Sequence, residues 1–129
     1  MRHPYRIIII DDDPITRMDL TEMLQAEGYD VVAEGKNGEE AVRLTQKWNP
    51  HLIIMDVKMP VMDGLTATGI IRKQSDVDVL LLTAYSLRDM AGDAKAKGIC
   101  AYLAKPVMEE DLLPAVESVL AKKEAVSEK

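Results

Sequence analysis

The stretch RIIIIDDDPITR, residues 6–17, decides the fold. Arg6 to Ile10 is a β-branched run of strand composition that ends abruptly in Asp11, Asp12 and Asp13. Pro14 follows, well placed for a first helical turn, where its missing N–H would have no partner. Thr16, Leu20, Met23 and Leu24 then fall at i, i+4, i+7 and i+8, one face of a helix that Gly28 stops. A strand, an acidic turn and a helix are therefore encoded within about twenty residues.

Outward from there the alternation continues. Asp30 to Glu34 reads as a second strand, and Gly38 opens a second helix with Ala41, Leu44, Thr45 and Trp48 along one packing side. Asn49-Pro50 breaks it. His51 to Met55 is a third strand ending in Asp56, and a loop with Pro60 leads to Asp63, an N-cap for a helix to about Lys73. Val77 to Leu82 is a fourth strand ending at Thr83. Ser86 and Asp89 then make a capping-box-like start to a helix that Gly98 ends. Ile99 to Ala104 is a fifth strand ending at Lys105-Pro106. The last helix carries Leu112, Leu113, Val116, Val119 and Leu120 as its apolar stripe. Pro114 lies early in that helix, either in its first turn or at the cost of one hydrogen bond. Five consecutive βα units predict an α/β, doubly wound parallel sheet with helices on both faces. Residues 1–121 form the domain, and 122–129 read as a charged tail or the start of a linker.

The chain has 129 residues, enough for one domain that buries its core without disulfides. Cys100 is the single cysteine and reads as a small buried hydrophobe in a strand. No apolar run suggests a membrane span and no leader suggests export, so a cytoplasmic protein is expected. The net charge of −6 and scattered basic residues argue against direct nucleic-acid binding by this chain. His3 and His51 have no partners at zinc-ligand spacing, and the eight methionines are dispersed as core filler.

In an open α/β sheet, ligands bind beyond the carboxyl ends of the strands, where the strand order reverses. Those ends carry Asp11 and Asp12, Asp56, Thr83 and Lys105. Crowded carboxylates repel one another, and a hard divalent cation such as Mg²⁺ relieves them. A carboxylate can also attack phosphorus, given a cation, an ammonium and hydroxyl or N–H donors for the phosphoryl oxygens. The set is chemically complete for phosphoryl transfer onto Asp56.

The strings IIIIDDDPITR, LIIMDVKMPVMDG, LLLTAY and AYLAKP, in this order and spacing, resemble response-regulator receiver domains over roughly Tyr5 to Ala121. The resemblance implies a flavodoxin-like, CheY-like fold with strand order 2-1-3-4-5. It implies Asp56 as phospho-acceptor, with Mg²⁺ (or Mn²⁺ in its place) at the acidic pair Asp11 and Asp12. Asp12, Asp56 and the Lys58 carbonyl would be direct ligands. Thr83 and Lys105 match the family's hydroxyl and lysine. Val57 and Ala84 match positions whose N–H groups meet the phosphoryl, and Tyr102 matches the aromatic that moves with the threonine. Asp13 falls outside the ligand set. The expected partners are a sensor histidine kinase or phosphotransfer protein, and either a second receiver in a dimer or a C-terminal output domain. Phosphorylation is expected to remodel the face made by the helix after Ser86, the fifth strand and the last helix.

RMDLTEMLQAEGY, SLRDMAGDAKAKG and KPVMEEDLLPAVE are similar to receivers of the ANTAR group, in which an RNA-binding helical domain acts in transcription antitermination. A rival reading is an enzyme. Asp11-x-Asp13-x-Ile15 after a strand resembles the first motif of haloacid-dehalogenase-like phosphatases, with Asp11 as nucleophile. That reading leaves Asp56 without a role. It also expects an acidic pair after a strand beyond the lysine, where Glu109, Glu110 and Asp111 open a helix instead. A flavin-binding module is disfavoured, because no glycine-rich or hydroxyl-rich phosphate loop follows the first strand.

Overall fold

A computed structural model describes residues 5–84 and 99–127. Its elements run β1 (Arg6–Ile10), α1 (Pro14–Ala26), β2 (Asp30–Gly35), α2 (Gly38–Trp48), β3 (Leu52–Asp56), α3 (Gly64–Gln74), β4 (Asp78–Thr83), β5 (Ala101–Ala104) and α4 (Glu109–Ser127). The helix expected from Ser86 to Gly98 lies outside the described residues.

The five strands form one sheet in the order β2-β1-β3-β4-β5, all pairs parallel. The central strands are apolar without alternation because both of their faces are covered: Ile7 to Ile10 and Leu52 to Met55 have no exposed surface. Alternate residues feed separate cores. Ile8, Ile10, Ile53, Met55, Val79 and Leu81 pack against Ala41, Ala67 and Ile71 of α2 and α3. Ile7, Ile9, Leu52, Ile54, Leu80 and Leu82 pack against Leu20 and Leu24 of α1 and against Leu112, Val116 and Leu120 of α4. Each buried Ile or Leu contributes about 1.5–3 kcal/mol relative to exposure.

The helix starts are set by side chains. Asp13 accepts from Ile15 N (3.2 Å), Asn37 from Glu40 N (2.9 Å) and Asp63 from Thr66 N (2.7 Å). Gly28, after α1, and Asn49, the C-cap of α2, take positive φ of 89° and 45°.

Two expectations need correction, at Trp48 and Cys100. Trp48 closes α2 at 38% exposure, with Lys47 Nζ 5.5 Å from its ring centroid, so it is no packing anchor. Cys100 precedes β5 and is exposed as a residue. Its Sγ turns inward to donate to Val79 O (3.0 Å), and burial of the sulfur, with the nearby Asp78 charge, pushes the thiol up to about 11. Of the two places open to Pro114, the structure takes the second: it is inside α4, past the first turn, and costs a backbone hydrogen bond there. α4 continues through Ser127, and Lys123 Nζ reaches Asp78 Oδ2 at 3.4 Å.

Candidate functional site

Register carries the site residues to one edge. Ile10 pairs with Met55, Asp56 with Leu82, and Thr83 with Ala104. Asp11, Asp56, Thr83 and Lys105 therefore leave β1, β3, β4 and β5 at nearly the same level. β1 and β3 are neighbours while β2 lies on the far side of β1, so the strand order reverses between Asp11 and Asp56. The crevice there, about 640 Å³, is lined by Asp12, Asp56, Val57, Lys58, Thr83, Ala84 and Lys105, with Met59 and Pro60.

Asp11 is fully buried and Asp56 is 6% exposed, whereas Asp12 is exposed. One carboxylate oxygen from each of Asp11, Asp12 and Asp56 lies within 4.8 Å of the others. Asp11 Oδ1 accepts from Asp13 N (2.9 Å), and its Oδ2 accepts from Lys105 Nζ (2.9 Å). The same ammonium donates to Asp56 Oδ2 at 3.3 Å. Burial first, and the Asp11 charge second, hold the Asp56 carboxyl above the usual range, partly opposed by Lys105 and by the Lys58 N–H. Burial works against the Lys105 ammonium, but its bond to Asp11 and the charges of Asp11 and Asp56 outweigh that and raise its pKa. Thr83 is buried at 1% exposure and Tyr102 is half-buried against the α2–α3 core.

The Val57 N–H donates to Leu82 O at 2.9 Å and so continues the ladder between β3 and β4. The next N–H along, that of Lys58, is the one that donates to the Asp56 carboxylate. Sequence reasoning also passed over Asp13, whose Oδ2 accepts from Thr16 Oγ1 (2.7 Å). That bond, with the one from Ile15 N, lowers its pKa and makes Asp13 the cap of α1. The D-P-x-T spacing was a visible sign of such a cap.

Three carboxylates face one ammonium, a donor set of oxygens with excess negative charge. That is the chemistry a hard divalent cation needs, and the residues present fit Mg²⁺. Among the described residues no helix is long and apolar enough to cross a membrane.

Residues 7–117 match the family model of the response regulator receiver domain. The chain is 44% identical over 119 residues to the transcriptional regulatory protein PdtaR of Mycobacterium tuberculosis, covering 92% of this chain and 58% of that protein. It thus spans under two thirds of that relative's length. It is 33% identical over 117 residues to the chemotaxis protein CheY of Bacillus subtilis, covering 90% and 98% of the two chains. A chain from the CheX–CheY–BeF₃–Mg²⁺ complex of Borrelia burgdorferi superposes with a TM-score of 0.85 at 28% identity, covering 91% of this chain and 90% of that one. The phosphatase reading of Asp11 has no place in this match. With its five parallel strands in the order 2-1-3-4-5 and its acidic crevice at the switch point, the chain belongs to the response regulator receiver domains of two-component signalling.

Proposed function

We propose that Asp56 is the phospho-acceptor of this receiver, taking its phosphoryl group from a sensor histidine kinase or a phosphotransfer protein. The observation that carries this reading is the Asp56 carboxylate itself, at the end of central β3, 3.3 Å from the Lys105 ammonium and beside two further aspartates. An Asp56 oxygen forms the new P–O bond as the P–N bond of a phosphohistidine breaks. The electron pair leaves with the imidazole, which takes up a proton from solvent. With a small donor such as acetyl phosphate, the bond to the acyl oxygen breaks instead and acetate leaves. The burial that raises the Asp56 pKa also strips water from the attacking oxygen, and Lys105 and the Lys58 N–H keep it oriented. Lys105, the Thr83 hydroxyl and the Ala84 N–H are the donors for the three phosphoryl oxygens. Asp12, Asp56 and the Lys58 carbonyl, backed by Asp11, would hold Mg²⁺, which supplies neutralisation of the carboxylates and of the phosphoryl charge.

The added group brings about −1.5 to −2 charges, which draw Thr83 toward it and open space for Tyr102. The readout surface is then β5 with α4 and the chain after Thr83, and it serves a second receiver or an output domain. The similarity to receivers of the ANTAR group favours an RNA-binding antitermination output carried outside this chain. A transcriptional regulator that is longer than the matched segment supports an output of that kind.

The test is incubation with Mg²⁺ and acetyl phosphate, borohydride trapping, and mass spectrometry. Label at Asp56 is expected. Label at Asp11 with Asp56 unmodified would overturn the assignment.

A further inference from the structure

The acidic pair stands on a single peptide that is clamped from outside the crevice. Asp11 N–H donates to Gly35 O of β2 at 3.0 Å, and Arg17 Nη1, one turn into α1, donates to Asp11 O at 2.6 Å. The clamped carbonyl belongs to the Asp11–Asp12 peptide, so it fixes the plane from which both carboxylates project. Arg17 is itself held: its Nε lies 3.4 Å from Glu34 Oε1, and Glu34 Oε2 accepts from Thr21 Oγ1 at 3.3 Å. The Arg17 side chain is 21% exposed, and that of Glu34 41%.

A bare guanidinium beside a cation site is self-defeating, because its charge repels the metal. Glu34 offsets that charge while leaving Nη1 free to hold the carbonyl. The arrangement keeps the geometric benefit of arginine while placing an opposite charge beside it.

We infer that Arg17, with Glu34 as its charge partner, is a positioning residue that presets the Asp11–Asp12 peptide for Mg²⁺. Its bonds reach the Asp11 carbonyl and the Glu34 carboxylate, so it acts through the backbone of the acidic pair. This rests on the proposed Mg²⁺ site, and the controls separate the two.

Mg²⁺ alone is titrated into the full chain by calorimetry, with thermal melts without metal run in parallel. Arg17→Met is expected to weaken Mg²⁺ binding about tenfold, the low end for groups that orient metal ligands. Arg17→Lys keeps the charge but lacks the two-pronged fork, so it should recover only part of the affinity. Glu34→Gln uncovers the Arg17 charge, so its Mg²⁺ affinity should fall at low salt and return toward wild type as salt is added. If Arg17→Met is less heat-stable yet binds Mg²⁺ like wild type, Arg17 is merely structural and the inference fails. The same holds for Arg17→Lys should Arg17→Met not fold. Asp12→Asn is the control for the underlying site. If it binds Mg²⁺ like wild type, the site reading falls first and the positioning role falls with it. If only Asp12→Asn weakens binding, the site stands and the role of Arg17 is rejected.

Discussion

The ammonium of Lys105 lies 2.9 Å from the buried Asp11 carboxylate, across 94 positions of sequence. It is nearer to Asp11 than to Asp56, at 3.3 Å. Lys105 thus serves two buried carboxylates at once, at the ends of β1 and β3. Lys105→Ala is expected to slow labelling of Asp56 by acetyl phosphate roughly 10²-fold or more, the usual cost of losing a donor to the transferred group. Time courses read by mass spectrometry check this, and a rate within threefold of wild type would count against it.

Gly64 sits where α3 begins, and its N–H donates to Val57 O at 2.7 Å. A Cβ at this position would collide with the main-chain oxygen of Asp56. Gly64→Ala should therefore push on the end of β3, destabilising the fold by about 2 kcal/mol, as overpacking usually does. It should slow phosphoryl uptake as well. Urea unfolding with the labelling assay tests both, and an unchanged midpoint would mean that the turn relaxes freely.

His51 Nδ1 accepts from Arg6 N at 2.9 Å, and its ring meets Tyr5 edge to face with centroids 5.0 Å apart. Burial, then the charges of Arg6 and Lys123, lower its pKa. An unfolded histidine titrates near about 6.5. Between that value and the lower folded one, the unfolded chain takes up a proton that the native chain refuses. Stability from this group is complete above the unfolded pKa and is lost as pH falls below it. Chemical denaturation between pH 5 and 8 should show this loss in wild type and a flatter profile in His51→Gln. Parallel profiles would remove His51 from the account.

Pro114 gives up a helical hydrogen bond while its side is exposed to solvent. Pro114→Ala is expected to stabilise the domain by about 2 kcal/mol: roughly 3 from helix preference, less up to about 1 for the freer unfolded chain. Urea midpoints decide it, and a destabilised variant would show that the ring makes a packing contribution.

Strand ends were readable because Asp11, Asp56, Thr83 and Lys105 each interrupt an apolar run, and the edge of a buried sheet is where such an interruption can fall. Which strands neighbour each other was not readable from periodicity, since β1 pairs with β2 and β3 through contacts that leave no local trace. That order came from the family resemblance. The bond of Arg6 to His51 spans 45 positions, and Arg17 acts on a backbone atom, so neither had a pattern to betray it. Trp48 misled because helical spacing marks a face without saying whether the helix end still overlies the sheet.

The sheet is a partition as well as a frame. Ile8 and Ile9 are chain neighbours, yet they belong to different cores. Substitutions in the two compartments should combine additively when they are far apart. What both compartments share is the rim where the strands end. Under the proposed phosphorylation of Asp56, the added charge would sit at that shared rim, bordering both compartments at once.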